Sequence, residues 1–182
     1  WRGESKGVFL LSVADRQRVQ RSMQDQDDVL VIAAKRATVD GINVNESFAR
    51  RSSTTPTRRL GPLATVAPGD PIVITANRYQ YGLFNGLLGV VTDTKGETLQ
   101  VQLDGDAAPR ELPAESEGDV ELAYAITCHK SQGSAADAII CLVEDTPLVS
   151  REWLYTAITR GRRLVLLVED RDGAIAQAVE RR

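Results

Sequence analysis

The sequence is poor in residues that hold metals: it has one histidine, His129, and two cysteines, Cys128 and Cys141. A zinc site needs three or four such ligands, and no CxxC pair is present, so we expect no metal site. Both cysteines lie in apolar, strand-like runs. This is typical of buried, reduced thiols and indicates a reducing, cytoplasmic compartment. Nothing pairs His129 with a nucleophile or carboxylate in a known catalytic pattern, which disfavours a small-molecule enzyme built on it.

Long apolar runs are also missing. None approaches the roughly 20 residues that a membrane-spanning helix needs, and no basic-then-apolar signal segment opens the chain, so we expect no membrane partner. The 182 residues are 42% hydrophobic and 26% charged, with a net charge of -3. This composition is that of a globular protein without a general polyanion-binding surface. Because the chain opens at Trp1 rather than at a methionine, we expect it to be a fragment of a longer protein.

The third absence is a phosphate-binding loop. The pattern GxxxxGK[ST] does not occur, and no glycine is followed by lysine anywhere in the chain. Such a loop uses main-chain N–H groups and its lysine to hold a nucleoside triphosphate. The chain therefore lacks the usual means of holding a triphosphate by itself.

Two regions read as alternating buried strands and helices. The apolar runs that predict strands covered on both faces are "VLVIAA" (29–34), "AYAITC" (123–128), "AIICLV" (138–143) and "RLVLLVED" (163–170). One helix is predicted after Thr38 as its N-cap, although Gly41 weakens it. A second, "SREWLYTAITR", has Ser150 as N-cap and Gly161 as its end. A terminal helix is predicted from Asp172, and a weaker one around Val13 to Val19.

The intervening segment has a different character. The stretch 50–62 is rich in Ser, Thr, Arg and Pro, which predicts a linker or an exposed loop. Short strand-like runs follow between 69 and 122, separated by "NG", "KGE" and "DGDAAP" turns. The whole therefore predicts a parallel α/β layer that is interrupted by a small β insertion.

Two polar segments carry a resemblance to a known family. "AITCHKSQGS" (125–134) resembles motif V, and "LYTAITRGRR" (154–163) resembles motif VI, of superfamily 1 helicases in the RecD-like and relaxase-helicase branch. "GDPIVITANRYQYGLFNGLLGVV" is similar to the SH3-like barrel inserted in the second motor domain of RecD-type enzymes. "VLVIAAKRATVDGINVNESFARR" is similar to the region of motif IV.

The resemblance implies a fold and a domain organisation. The fold is α/β, with a RecA-like parallel sheet as the second motor domain and an inserted SH3-like β-barrel. The implied domains are a junction to a missing first motor domain (1–28), the second motor domain (29–60 and 123–182) and the insertion (61–122).

The resemblance also implies roles for single residues. Arg160 matches the arginine that reaches the γ-phosphate of ATP held by the other motor domain. The competing interpretation is a helix-end arginine that binds carbonyls and the helix dipole. Ala135 stands where many relatives have a glutamate on the nucleotide sugar, so that contact is in doubt. The remaining implied residues are Lys130, Gln132, Gly133, Tyr155, Thr156 and Arg36 for nucleotide binding or coupling, with Lys35 an equal candidate for the role of Arg36, and Thr127 and His129 for DNA.

Aromatic side chains of the insertion open a further alternative. Tyr79 and Phe84 lie close to Asn77 in the sequence, and aromatic rings beside amide groups stack on bases of single-stranded nucleic acid. The competing interpretation is that these rings form the core of a small barrel.

The leading hypothesis from the sequence is half of an ATP-driven motor. It is the second motor domain of a DNA helicase that moves 5′ to 3′ on single-stranded DNA, within a RecD-like nuclease subunit or a relaxase. Its implied partners are single-stranded DNA and the first motor domain, which would hold most of the ATP and Mg²⁺. The alternative is a non-catalytic module that binds single-stranded DNA or docks a protein.

Overall fold

The computed structural model describes residues 7–11, 28–60 and 64–181, and they divide into two compact units. The first unit holds the described residues up to Asp40 and from Ala125 onward, and the second runs Gly41–Tyr124. The helix predicted around Val13 to Val19 and most of the junction predicted at 1–28 lie outside the described residues. Within that range, residues 7–11 form a strand of the first unit's sheet. No described helix combines the length and the apolar character needed to cross a membrane.

The elements follow in chain order. They are β1 (Gly7–Leu11), β2 (Val29–Ala33), α1 (Arg36–Ala49), β3 (Arg58–Leu60), β4 (Ala64–Val66), β5 (Pro71–Ile74), a 3₁₀ helix (Tyr79–Tyr81), β6 (Leu88–Asp93), β7 (Gln100–Leu103), β8 (Arg110–Glu111), a second 3₁₀ helix (Ala114–Asp119), β9 (Val120–Leu122), β10 (Ala125–Thr127), β11 (Ala136–Val143), α2 (Arg151–Ile158), β12 (Gly161–Glu169) and α3 (Ala174–Glu180).

The first unit is built on a five-stranded sheet with the order β1-β12-β11-β2-β10, in which every pair is parallel. The central strand β11 is almost wholly buried, and its Ile140 lies opposite Val31 on one side and Leu166 on the other. Continuous apolar runs are what a parallel sheet covered on both faces requires. The predicted parallel α/β layer is therefore confirmed.

Helix α2 begins as predicted but ends earlier. The Ser150 hydroxyl accepts a hydrogen bond from the main-chain N–H of Trp153 at 3.3 Å, which satisfies one of the first-turn donors. The helix stops at Ile158, and Gly161 is the first residue of β12 rather than a helix end. A Cβ on Gly161 would lie 2.5 Å from Val165 Cγ2, so the glycine is needed for close packing and not for a left-handed turn.

Helix α1 also differs from its prediction. It begins at Arg36, so Thr38 lies in the first turn and is not the N-cap. The Thr38 hydroxyl instead donates a hydrogen bond to the carboxylate of Glu144. Gly41 does not interrupt the helix, which continues to Ala49 because Val39 and Ile42 are buried on its inner face.

The second unit is all-β apart from the continuation of α1 and the two 3₁₀ helices. One antiparallel sheet has the order β8-β7-β6-β5-β9, and a second consists of β3 and β4. The core is formed by buried aliphatic side chains, namely Leu60, Val66, Ile72, Ile74, Leu83, Val91, Leu99, Val101, Leu103, Leu112 and Val120. The insertion therefore contains a five-stranded antiparallel sheet, and an SH3-like barrel stays a prediction. The compact unit begins at Gly41, whereas the sequence places the insertion at 61–122.

The Ser/Thr/Arg-rich stretch predicted as a linker or loop at 50–62 is an exposed loop only before Arg58, because residues 58–60 form β3. Arginines attach the loop to this unit. Arg51 donates to Asp70 at 2.9 Å, and Arg58 forms an ion pair with Glu117 at 2.9 Å. Residues 52–57 between them are mostly exposed, and β3 follows.

Candidate functional site

The segment that joins β10 to β11 is a sequence of tight turns. Thr127 ends β10, and its main-chain oxygen accepts from the N–H of Ser131 at 3.0 Å. The N–H of Ser134 donates to the oxygen of Ser131 at 3.0 Å. His129 is exposed between these turns, and its own main-chain oxygen accepts from Gln132 N at 3.3 Å. The segment thus holds its shape through main-chain bonds and presents His129 to solvent.

The other predicted residues of this segment lie on its open side. Gln132 and Gly133 are exposed, and Lys130 is half-buried. Gly133 has φ of +90°, a conformation that other residues rarely adopt, and a Cβ there would meet nothing within 4 Å. The glycine is therefore required by its backbone conformation and also leaves room for a ligand to approach the main chain.

Arg160 is packed against the same segment. Its Nη1 donates to the main-chain oxygen of Ser134 at 3.4 Å, and its main-chain oxygen accepts from Ala136 N at 3.1 Å. Its Nε donates to Thr156 O, and its Nη2 donates to the Thr159 hydroxyl, each at 3.1 Å. The residue is only partly buried, so a cation bound to neutral oxygens stands at the surface beside the turns. The two motif-like segments are thereby brought together.

Tyr155 and Thr156 differ in what they contact. The Tyr155 ring is 71% exposed, which rules out the packing role that a helical tyrosine usually has. Thr156 is half-buried and supports Arg160 through its main-chain oxygen.

A thiol ties the turns to helix α2. Cys128 Sγ donates to the main-chain oxygen of Trp153 at 3.6 Å. Burial raises the pKa of the Cys128 thiol, so it stays protonated and able to donate this weak bond. Burial raises the pKa of the Cys141 thiol as well. Both cysteines are free and inert, as buried thiols are expected to be.

Glu144 is a buried acidic residue that the sequence did not single out. Its carboxylate accepts from the main-chain N–H groups of Ala34 at 2.8 Å and Lys35 at 2.7 Å, in addition to the Thr38 hydroxyl. The Lys35 ammonium lies 3.8 Å from the same carboxylate. Glu144 therefore fixes the turn between β2 and α1. A charged residue directly after the apolar run "AIICLV" was the one signal available.

Lys35 and Arg36, the two candidates for one phosphate contact, differ in their ion-pair partners and in their exposure. Lys35 is paired with a buried carboxylate, whereas Arg36 is 66% exposed and pairs with Asp40 one helical turn later, at 3.7 Å. Exposed pairs of this kind contribute little free energy. Arg36 can thus exchange its partner for another anion more readily than Lys35 can.

In the second unit, Tyr79 and Phe84 form an exposed pair. The ring centroids are 5.9 Å apart at an interplanar angle of 66°, and the side chains are 72% and 49% exposed. The interpretation of these rings as core is therefore wrong. Aliphatic side chains fill the core, and of the three aromatic residues of this loop only Tyr81 packs against it. Asn77 Oδ1 accepts from Asn85 N at 2.8 Å and so closes the loop that holds both rings.

Hydrogen bonds and ion pairs of charged side chains hold the loop that carries Tyr79 and Phe84. Arg78 donates to Asp119 at 2.8 Å, and this bond raises the pKa of the Arg78 guanidinium. The Tyr81 hydroxyl donates to Glu115, and this bond raises the pKa of Tyr81. Arg110 forms an ion pair with Asp106 at 3.0 Å. Each arginine near the aromatic pair therefore has a carboxylate partner.

The described residues contain no cluster of side chains that could bind a metal ion. Across 7–11, 28–60 and 64–181, no group of three or more His, Cys, Asp or Glu side chains could hold a metal ion. The described residues thus offer Arg160 to a phosphate but no carboxylate set to Mg²⁺.

Comparison with known proteins indicates a family. Residues 122–168, which include the turns and Arg160, match the family model described as "UvrD-like helicase C-terminal domain". The "RecBCD enzyme subunit RecD" of Mycobacterium tuberculosis (strain ATCC 25618 / H37Rv) is 40% identical over 117 residues, which cover 63% of this chain and 20% of that protein. These similarities support a superfamily 1, RecD-like helicase C-terminal domain in this chain.

Further relatives agree with this family. The "ATP-dependent RecD2 DNA helicase" of Deinococcus radiodurans is 38% identical over 97 residues, which cover 52% of this chain and 13% of that protein. The fold of the helicase C-terminal domain matches that of Pif1 helicase from Bacteroides, crystallised with ADP-AlF3 and ssDNA. The TM-score is 0.57 at 22% identity, over 84% of this chain and 45% of that one. The chain thus spans 13% to 20% of the length of these two curated relatives.

Proposed function

We propose that the chain is the second motor domain of an ATP-dependent DNA helicase that translocates 5′ to 3′ on single-stranded DNA. The observation that carries the proposal is the position of Arg160, a partly exposed guanidinium held against the segment that follows β10. The similarity to RecD and RecD2 proteins supports the same activity.

In this proposal Arg160 reaches the γ-phosphate of ATP that a first motor domain holds. Its present partners are neutral oxygens, and hydrogen bonds between a guanidinium and phosphate are about twice as strong as neutral ones. The guanidinium neutralises charge that develops in the transition state, which is worth about 10³ to 10⁵ in turnover. Tyr155 and Thr156 line the same helix end, and Arg36 is a second phosphate contact. ATP and Mg²⁺ are held mainly by the first motor domain.

Single-stranded DNA lies over the carboxyl end of β10, where ligands of open α/β sheets bind. Thr127 and the exposed His129 donate to phosphate or sugar oxygens, a contact that a neutral imidazole makes without a partner. Lys130, Gln132 and Gly133 connect this surface with the nucleotide. The location is cytoplasmic, which the two free, buried cysteines support.

The exposed pair of Tyr79 and Phe84 is a further candidate surface for single-stranded DNA, within the second unit. Two rings fixed at a set angle and open to solvent suit stacking on bases, and Asn77 holds their loop closed.

A second candidate function is a non-catalytic module that binds single-stranded DNA or a protein. The exposed aromatic pair favours it, because such a platform needs no nucleotide. The reading frame that encodes the chain distinguishes the two functions. A GxxxxGK[ST] loop encoded within a few hundred residues upstream would favour the motor domain.

The decisive experiment measures ATP turnover. By itself this chain is expected neither to hydrolyse ATP nor to unwind DNA. In the polypeptide that includes the upstream loop, Arg160→Ala is expected to lower DNA-stimulated turnover by about 10³-fold and leave ATP binding within about threefold. Arg151→Ala, at the exposed start of the same helix, is the matched control. Turnover within about threefold for Arg160→Ala would show that the assignment is wrong.

A further inference from the structure

A continuous set of hydrogen bonds joins the end of β10 to Arg160, and it runs through Ser131 and then Ser134. The N–H of Ser131 donates to Thr127 O at 3.0 Å, and Ser131 O accepts from Ser134 N at 3.0 Å. Ser134 O then accepts from Arg160 Nη1 at 3.4 Å. Lys130 N also donates to the Thr127 hydroxyl at 3.4 Å. A displacement of Thr127 therefore has a short mechanical route to the guanidinium.

The Ser131 side chain is what makes this route stiff. It is fully buried, and its hydroxyl donates to Cys128 O at 2.7 Å, which closes the turn a second time. Cys128 is in turn bonded to Trp153 O on helix α2, the helix that leads to Arg160. The turn is thus attached to the arginine both through Ser134 and through the helix.

We infer that Ser131 is a positioning residue: its buried hydroxyl transmits the occupancy of the single-stranded DNA site at Thr127 and His129 to the guanidinium of Arg160. The inference rests on the proposed function, which supplies DNA at one end of the route and a phosphate at the other.

Arg160 is able to respond because its contact to the turns is the weakest of its three. The Nη1 bond to Ser134 O is 3.4 Å long, whereas the bonds made by Nε and Nη2 are 3.1 Å. Long hydrogen bonds contribute less free energy, and a phosphate oxygen competes well against a neutral carbonyl. A small movement of the Ser134 carbonyl is therefore enough to strengthen or break its hydrogen bond with Arg160 Nη1. The guanidinium has two sets of partners, and DNA biases the choice between them.

The test follows the Nε–Hε resonance of Arg160 in the 182-residue chain labelled with ¹⁵N-arginine. Loss of the signal in Arg160→Lys assigns it. Saturating oligo-dT of twelve nucleotides is expected to shift the resonance in the unchanged chain. In Ser131→Ala the shift at saturation is expected to fall at least threefold, because the turn is no longer closed by the hydroxyl.

Ser116→Ala is the matched control. Ser116 is also fully buried, and its hydroxyl has no hydrogen-bond partner among the described residues, so its removal loses volume but no bond. The shift in this variant is expected to equal that of the unchanged chain. If Ser131→Ala does not fold, Ser131→Cys replaces it, since a thiol fills the site and donates weakly. A reduced shift in Ser131→Cys supports the inference, and an unreduced one overturns it.

The outcomes separate the inference from the proposed function. A chain that does not bind oligo-dT contradicts the proposed function. A chain that binds oligo-dT with no shift at Arg160, or with an equal shift in Ser131→Ala, overturns the inference and leaves DNA binding intact.

Discussion

Tyr79 and Phe84 pack edge to face with centroids 5.9 Å apart, and both rings are exposed. Since stacking on one aromatic ring contributes about 1 to 3 kcal/mol per base, Tyr79→Ala is expected to weaken oligo-dT binding about 5- to 100-fold. Fluorescence anisotropy of a labelled oligonucleotide measures the effect. Phe48→Ala is the control, because Phe48 is 80% exposed on α1 and lies outside the pair. Equal losses in the two variants would indicate nonspecific contact.

The effect of Tyr79→Ala is also expected to depend little on salt. Arg78 and Arg110 near the pair are bound to Asp119 and Asp106, so base stacking rather than phosphate neutralisation dominates there. The ratio of the dissociation constant of Tyr79→Ala to that of the unchanged chain should stay constant between about 50 and 200 mM salt. A ratio that falls steeply with salt would assign the site to phosphates instead.

Glu144→Ala is expected to lower the free energy of unfolding by about 2 to 4 kcal/mol. The substitution leaves the N–H groups of Ala34 and Lys35 without their acceptor in a partly buried turn. Urea denaturation measures the loss, and Glu180→Ala, on an exposed position of α3, is the control with the same change of charge. A loss below about 0.5 kcal/mol would contradict the structural role of Glu144.

Asp145 is expected to give acid-dependent stability. The hydrogen bond from Arg181, with a further contribution from Arg171, lowers the pKa of the Asp145 carboxyl below its ordinary value. A lowered folded-state pKa stabilises the fold above the unfolded-state pKa, and that contribution disappears as the pH falls through the folded-state pKa. The difference in Tm between the unchanged chain and Asp145→Asn should thus be constant from about pH 7 to 5 and shrink below about pH 4. A difference that grows on acidification would be the wrong sign.

Two glycines are expected to respond to alanine with opposite signs. A Cβ on Gly161 would lie 2.5 Å from Val165 Cγ2 and 3.1 Å from Leu164 O, so Gly161→Ala should destabilise by about 1 to 3 kcal/mol. A Cβ on Gly41 in helix α1 meets nothing within 4 Å, so Gly41→Ala should stabilise by about 0.5 to 1 kcal/mol. Thermal and urea unfolding of both variants checks the pair, and the same sign for both would refute the packing argument.

The sequence was most informative where one local pattern sufficed. The fully apolar runs predicted the strands of the parallel sheet, and Ser150 three residues before Trp153 predicted the start of α2. The end of α2 could not be predicted in the same way. The sequence predicts Gly161 as a helix end, but in the structure the glycine is required because a Cβ would lie too close to Val165, four residues later in the same strand.

Local sequence patterns could not predict contacts between residues that are distant in the sequence. Glu144 is 106 residues from Thr38, and Arg160 is 26 residues from Ser134, so only the fold reveals these bonds. The motif resemblance did indicate that Arg160 and the turns after β10 belong together. The exposure of Tyr79 and Phe84 was not decided by sequence, because aromatic residues between strands suit a core and a surface equally well.

The strand that ends in Thr127 has only three residues and, among the described strands, bonds to β2 alone. In contrast, β11 is flanked on both sides and pairs with β12 over most of its length. Local opening needs the least free energy where few ladder bonds are broken. Under a pulling load, this rim of the sheet is expected to yield first while the centre remains rigid.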